Sequence, residues 1–202
     1  ERNGGVTFAV DGVRLPYRFE RHVSIPRNRV LRLDYTIWNR APFQLPYIWA
    51  FHPLFEAGPD ARIELPSSVR RIVNTLNFNN RLGEAGRSHP WPATVDKFGK
   101  DYRLDRFDPD SGVCEKFWVE GAIGAANDRS GAIVAQLVRG NPAHSVTIIA
   151  PTDRVPYLGV WKNQGGLLGQ NNVSLEPATG ALDDLGVAVA FNQNAVVPPG
   201  AT

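Results

Sequence analysis

The sequence predicts an all-β fold, either a sandwich or a barrel, formed as a single domain by residues 1–202. Short apolar runs recur along the chain and are separated by residues that favour turns, and no sustained helical heptad interrupts them. The chain has 202 residues, of which 43% are hydrophobic, and no linker separates two cores. That length is sufficient for one domain with a sizeable core.

Each strand is predicted from alternating apolar and polar residues or from a short apolar run that ends at turn-forming residues. The dipeptide Asp11-Gly12 is a strong hairpin signal, and residues 128–131 are expected to form a turn between two later strands. Residues 67–76 are ambiguous between a short helix and an irregular strand. The expected strands, in chain order, are residues 6–10, 13–20, 30–38, 61–65, 113–120, 121–127, 132–138, 145–150, 156–161, 173–180 and 186–191.

Three other segments carry separate expectations. Residues 47–55 form the most aromatic apolar run, which is too continuous to be half exposed. Residues 77–109 are rich in Asn, Gly, Pro, Arg and Asp, which predicts a long connection that covers a site. Residues 196–202 are expected to be a frayed tail. The chain contains no methionine and opens at Glu1, so we expect a processed, engineered or incomplete product.

Charge and cysteine content narrow the classes of partner. The net charge is +2 and the basic residues are scattered, so neither nucleic acid nor a membrane surface is expected as a partner. No stretch approaches the roughly 18 apolar residues that cross a bilayer, and the N-terminus has no signal-peptide pattern. The single cysteine, Cys114, is expected to be a small buried hydrophobe. A reducing compartment is compatible with it, and we predict a cytoplasmic location.

Two residues form the central chemical hypothesis. Glu176 ends a predicted strand directly before a proline, where a carboxylate is costly to bury without a partner. The simpler interpretation of an isolated glutamate is a solvated strand end. His52 lies inside the aromatic run of residues 47–55. A buried acid–base pair of His52 and Glu176 is the alternative that carries chemistry.

The motifs around these residues resemble those of a known family. They are WAFHPLF at residues 49–55, PYLGVW at residues 156–161 and LEPATG at residues 175–180. In this order, and with 124 residues between His52 and Glu176 (176 minus 52), they resemble the galactose mutarotase (aldose 1-epimerase) family. The resemblance extends from about residue 31 to about residue 185, and it implies a large antiparallel β-sandwich.

The resemblance also implies a reaction. A mutarotase takes the proton from the anomeric hydroxyl of a sugar, protonates the ring oxygen and closes the opened ring on its other face. By motif position Glu176 is the base and His52 the acid. A carboxylate accepts protons and an imidazole donates them near neutrality, so neither role needs an extreme pKa. The implied partner is a small-molecule carbohydrate, and no metal or organic cofactor is required.

Aromatic and polar side chains near the motifs are candidates for sugar binding. Trp161 and Trp49 offer apolar faces for sugar C–H groups, as do Trp118 and Phe51, although core packing is the simpler role for each of them. The polar candidates are Asn163, Gln164 and Lys116. The simpler alternative for Asn163 and Gln164 is a turn-forming role, and for Lys116 it is a strand lysine whose ammonium reaches solvent. We expect three further histidines to lie at the surface without metal-ligand spacing: His22, His89 and His144.

The sequence departs from the family in two ways. The family's upstream Asn-x-x-His-Gly segment has no match in the 51 residues before His52, and its sugar-binding aspartate has no clear counterpart. A truncated N-terminus or a divergent branch explains both, and truncation would leave strand edges exposed to association as a homo-oligomer. Two alternatives to an epimerase stay open. They are a non-catalytic carbohydrate-binding or sensing domain and a structural domain of a longer enzyme.

Overall fold

The computed structural model describes residues 4–76, 78–123, 131–140 and 142–202. In this part of the chain nearly all of the regular secondary structure is strand, and the one helix is too short to cross a bilayer. The elements are β1 (Val6–Asp11), β2 (Tyr17–Arg27), β3 (Val30–Asn39), β4 (Leu45–Tyr47), β5 (Phe55–Glu56), β6 (Arg62–Glu64), β7 (Arg71–Asn74), β8 (Ser88–Pro90), β9 (Ala93–Val95), β10 (Asp101–Arg103), β11 (Val113–Val119), β12 (Ala132–Arg139), β13 (His144–Pro151), β14 (Tyr157–Gln164), β15 (Asn171–Ala178), α1 (Leu185–Ala190) and β16 (Ala195–Val197).

The chain divides into two compact units, and the first consists of Glu1–Tyr47 and Ala195–Thr202. Strands β1, β2 and β3 form an antiparallel sheet in this unit, and the predicted hairpin at Asp11-Gly12 is confirmed. Strand β16 pairs with β4, so the expectation of a frayed tail is wrong for its first residues. The single domain expected over residues 1–202 stays a prediction.

The second unit, Ile48–Asn194, contains two larger antiparallel sheets. The first sheet has the strand order β5-β15-β14-β11-β7-β8, and the second has the order β13-β12-β6. Apolar side chains from both sheets form one core, which includes Phe117, Ile133, Leu137 and Leu175. The predicted all-β antiparallel sandwich is confirmed.

Alternation along β11, β14 and β15 divides their side chains between two faces of the first sheet, because successive residues of a strand point to opposite sides. Phe117, Val160 and Leu175 pair across these strands and enter the core. The neighbours of these residues in the sequence, Trp118, Gly159 and Glu176, share the opposite face. We call this opposite face, with Lys116 and Trp161 included, the site face.

The strands predicted at residues 6–10, 30–38, 61–65, 113–120, 132–138, 145–150, 156–161 and 173–180 are confirmed within a few residues at their ends, whereas the strand predicted at residues 13–20 begins only at Tyr17. The strand expected at residues 121–127 and the turn at residues 128–131 fall mainly outside the described residues. Residues 67–76 contain a strand, β7. Residues 77–109 are not an unstructured connection, because β8, β9 and β10 lie within them.

The strand predicted at residues 186–191 is wrong, because the chain forms α1 there. Residues 186–191 are a short apolar run that could equally be a strand, but Asp184 caps a helix here by accepting a hydrogen bond from the Val187 amide at 2.8 Å. Only Ala188 of this helix is buried. A six-residue helix with one buried position presents too little apolar periodicity to be recognised from the sequence.

Candidate active site

Glu176 lies within strand β15, and only 1% of its surface is exposed. The interpretation of Glu176 as a solvated strand end is therefore wrong. Its cross-strand partner on β14 is Gly159, which in turn pairs with Trp118 of β11. A carboxylate at this depth needs a compensating charge, and the site face supplies one.

Gly159 allows an aromatic ring to pack against the sheet beside Glu176. A Cβ atom at this position would lie 3.2 Å from three carbons of the Trp118 indole. Trp118 is 1% exposed and forms a small second core with Ala178 and Ala181. The indole therefore packs beneath the site. Core packing was the simpler of the two roles predicted for Trp118.

The chain segment that carries His52 is held against the end of β15 by backbone hydrogen bonds. The Phe51 amide donates to the carbonyl of Pro177 at 3.1 Å, and the Thr179 amide donates to the carbonyl of Trp49 at 2.8 Å. Residues 48–54 form no regular strand and are half-buried or exposed, so the expected burial of this run is wrong. The register places His52 opposite the Glu176 carboxylate.

His52 and Glu176 meet as the sequence predicted, although only the glutamate is buried. Nε2 of His52 lies 3.0 Å from Oε1 of Glu176, and the two side chains are 46% and 1% exposed. The contact lies outside hydrogen-bond geometry, so within the described residues Oε1 has no hydrogen-bond donor. The imidazole is open to solvent, and a buried proton acceptor lies directly behind it.

Lys116 on β11 supplies the positive charge of the site. Its ammonium contacts Oε2 of Glu176 and lies 3.5 Å from Oδ1 of Asp183. The same nitrogen lies 5.3 Å from the centre of the Trp118 ring. Lys116 is 7% exposed, so the expectation that its ammonium reaches solvent is wrong.

Asp183 is the site residue that the sequence did not reveal. Its Oδ2 accepts hydrogen bonds from Nε1 of Trp118 at 2.9 Å and from the hydroxyl of Thr75 at 2.8 Å. Asp183 and Leu182 have φ angles of 60° and 74°, in the left-handed region that residues other than glycine rarely adopt. Only the sequence Leu-Asp-Asp after the LEPATG motif could have pointed to it, and that tripeptide carries no specific signal.

Two opposing effects act on the Glu176 carboxyl. Burial raises its pKa above the ordinary value, because the charged form loses hydration. The ammonium of Lys116 lowers the pKa, as does His52 to a smaller extent, while Asp183 raises it. Burial has the largest effect, so the pKa of Glu176 is raised overall. A base with a raised pKa binds a proton more strongly than an exposed carboxylate.

The aromatic and polar candidates occupy different positions. Trp161 is half-buried on the site face, where its ring centre lies 6.2 Å from that of His52. Trp49 is also half-buried, and Phe51 packs against the main core. Asn163 is 1% exposed, and its amide group bonds both backbone groups of Leu167 at 2.9 Å. Asn163 thus lies on β14 and holds the turn that follows it, and its role in sugar binding stays a prediction.

The remaining candidates serve the framework. Gln164 is 1% exposed, and its side-chain oxygen accepts a hydrogen bond from the Asp108 amide at 2.7 Å. His89 is 5% exposed and bonds the carbonyl of Leu82 through Nε2 at 3.0 Å, so its predicted surface location is wrong. His144 is exposed, as predicted, and His22 is half-buried.

Cys114 is a buried residue, and burial raises the pKa of its thiol to about 11. The predicted role of a small buried hydrophobe is confirmed. Among the described residues, no three His, Cys, Asp or Glu side chains are grouped so that they could hold a metal ion.

Comparison with solved structures identifies the fold. A candidate aldose 1-epimerase from Klebsiella pneumoniae superposes with a TM-score of 0.71 at 15% identity, over 98% of this chain and 47% of that chain. A candidate aldose 1-epimerase from Escherichia coli K12 gives 0.52 at 14% identity, over 97% of this chain and 60% of that chain. The chain has the galactose mutarotase-like fold.

The Slr1438 protein of Synechocystis shares this galactose mutarotase-like fold, with a TM-score of 0.57 at 13% identity over 98% of this chain and 57% of that chain. The chain thus spans about half the length of the solved structures that it matches. No protein-family model and no curated protein matches it by sequence. These likenesses establish the fold, and the chemistry has to be argued from the site.

Proposed function

We propose that the chain catalyses the interconversion of the α and β anomers of a free aldose by acid–base ring opening. Glu176 is the base that takes the proton from the anomeric hydroxyl. His52 is the acid that protonates the ring oxygen. Both exchanges reverse when the ring closes on the other face of the aldehyde, so the enzyme returns to its starting protonation state without a cofactor.

One observation carries this proposal. Oε1 of Glu176 is buried and has no hydrogen-bond donor in the described part of the chain, yet it lies 3.0 Å from the exposed His52 imidazole. A buried acceptor without a donor costs stability, and a catalytic role is one of the explanations for such a group in a folded protein. A sugar hydroxyl that reaches Oε1 would supply the missing hydrogen bond.

The two proposed groups suit the substrate geometrically. The anomeric hydroxyl and the ring oxygen of a pyranose are bonded to the same carbon, so the base and the acid must lie close together. The contact between Glu176 and His52 meets this requirement. Trp161 lies beside His52, and its half-buried indole offers an apolar face for the sugar C–H groups. Trp49 is proposed as a second apolar contact.

The test is the rate of anomer exchange, measured by magnetisation-transfer NMR or polarimetry over a panel of free aldoses. Glu176→Gln keeps the shape of the side chain and removes the base, and we expect the rate to fall by about 10²–10⁴-fold. Glu56→Gln is the matched control, because Glu56 lies on β5 beside β15 and is exposed. The control is expected to keep the wild-type rate.

The outcomes separate the interpretations. Exchange that persists in Glu176→Gln would contradict the assignment of the base. Sugar binding without exchange in the wild type would instead favour the alternative, a non-catalytic carbohydrate-binding domain. Because the chain spans about half the length of its solved relatives, a wild type that neither binds nor exchanges any aldose should be compared with a polypeptide of their full length.

A further inference from the structure

A buried lysine that contacts two carboxylates is the unexplained feature of the site face. Lys116 lies between Glu176 and Asp183 and is 7% exposed. The resemblance to mutarotases gives no role to this lysine. Burying a charge is costly, so the presence of an ammonium at this position requires an explanation.

The geometry argues against Lys116 as the acid of the reaction. Its ammonium contacts Oε2 of Glu176 and lies close to Asp183, so both carboxylates hold its protons away from the solvent side. His52 is 46% exposed and lies at the other oxygen, Oε1. Of these two residues, His52 is therefore the one placed to reach both the carboxylate and an entering sugar.

We infer that Lys116 is a positioning residue for the proposed reaction: its ammonium anchors Oε2 of Glu176 and compensates its charge, which leaves Oε1 to take the proton. This role rests on the proposed function of Glu176. Asp183 completes the arrangement, because it holds Lys116 from the other side and is itself fixed by Trp118 and Thr75.

The charges that face Glu176 come from three elements. Lys116 is on β11, His52 is in the segment before β5, and Asp183 is in the loop before α1. Removal of Lys116 leaves a buried carboxylate with a half-exposed imidazole and a second carboxylate nearby. Burial then acts on Glu176 without its main opposing charge, so the protonated form becomes favoured.

The test is an NMR titration of the Glu176 side chain, which does not depend on catalysis. Protein labelled with carbon-13 at the glutamate carboxyl carbons is titrated from about pH 4 to about pH 9, and Glu176→Gln assigns the signal. In Lys116→Met, which keeps an apolar stem, we expect the midpoint of Glu176 to rise by about one to three pH units. Lys116→Arg keeps the charge and should titrate close to wild type.

A midpoint in folded Lys116→Met that equals the wild-type midpoint or falls below it would overturn the inference. A second measurement needs no variant of Lys116 and so does not depend on its folding. In the wild type, the ζ-nitrogen signal of Lys116 should move with the same midpoint as the Glu176 carboxyl carbon. A Lys116 signal that does not respond to protonation of Glu176 would equally overturn the inference.

Catalytic measurements separate this inference from the proposed function. If aldoses are exchanged, the acidic limb of kcat/KM should move to higher pH in Lys116→Met, whereas a merely structural lysine would lower the rate equally at every pH. If the NMR midpoints move as expected but no aldose is exchanged, the anchoring of Glu176 stands and the proposed function fails. If aldoses are exchanged but the midpoints do not move, the proposed function stands and the inference about Lys116 fails.

Discussion

Replacement of His52 by Gln separates catalysis from stability. Gln has a similar length, cannot be protonated in this pH range and leaves the backbone bonds of residues 48–54 unchanged. From the sequence, part of any loss on replacing His52 could have come from a cavity beneath an aromatic segment. The structure removes that ambiguity, because the imidazole is 46% exposed and fills no cavity in the core.

The expected magnitudes follow from this exposure. Loss of the acid should reduce the exchange rate by about 10²–10⁴-fold, which corresponds to about 3–5 kcal/mol of activation free energy. The free energy of unfolding should change by only about 1 kcal/mol or less, because the imidazole is half exposed and Lys116 still compensates the charge of Glu176. His52→Gln is therefore expected to lose most of its activity while it keeps nearly all of its stability.

The assay pairs anomer exchange with urea unfolding on the same preparations. His144→Gln is the matched control, since His144 is an exposed histidine on β13 and should keep both the rate and the stability. An exchange rate of His52→Gln within tenfold of wild type would refute its assignment as the acid. A stability loss of about 3 kcal/mol or more would refute the argument from exposure.

Two further predictions concern the framework. Lys162→Met should lower the free energy of unfolding by about 3–5 kcal/mol, because it leaves the carboxylate of Glu115 buried without its cation, and addition of Glu115→Gln should restore most of the loss. A single variant as stable as wild type in urea would contradict this. Burial lowers the pKa of His89 in the folded chain. As the pH drops below about 6.5, the unfolded chain therefore binds a proton at His89 before the folded chain does, and the free energy of unfolding should fall. His89→Gln should flatten that urea-midpoint profile between about pH 5 and about pH 7, and an unchanged slope would contradict the assignment.

The strands could be predicted because their signals are local, and the proximity of Glu176 and His52 could be predicted from the family resemblance of their motifs. Residues 30–38, 132–138 and 145–150 alternate or form short apolar runs between turns, and each became a strand. Glu176 and His52 lie in motifs whose residue types and order are specific, and the fold brings them within 3.0 Å of each other. The exposure of His52 could not be predicted, because an aromatic run gives no sign that a chain passes along the end of a strand.

The charge network of the site depends on distant contacts and lay beyond sequence patterns. Asp183 lies 67 residues after Lys116 in the sequence (183 minus 116), and only the fold places the two side chains 3.5 Å apart. The left-handed backbone at Leu182 could not be anticipated, because glycine, asparagine and aspartate are the usual residues in that region.

The two buried lysines of the sheet differ in how completely their carboxylate partners are hydrogen bonded. Lys162 lies on the core face, where both oxygens of its partner Glu115 are hydrogen bonded, Oε1 to the Arg81 amide at 3.2 Å and Oε2 to the Tyr102 hydroxyl at 2.8 Å. Lys116 lies on the site face, where its contact satisfies only one oxygen of Glu176. A complete network holds the fold together and has no group left for a ligand. The incomplete one, open to solvent through His52, leaves the single acceptor that the proposed reaction requires.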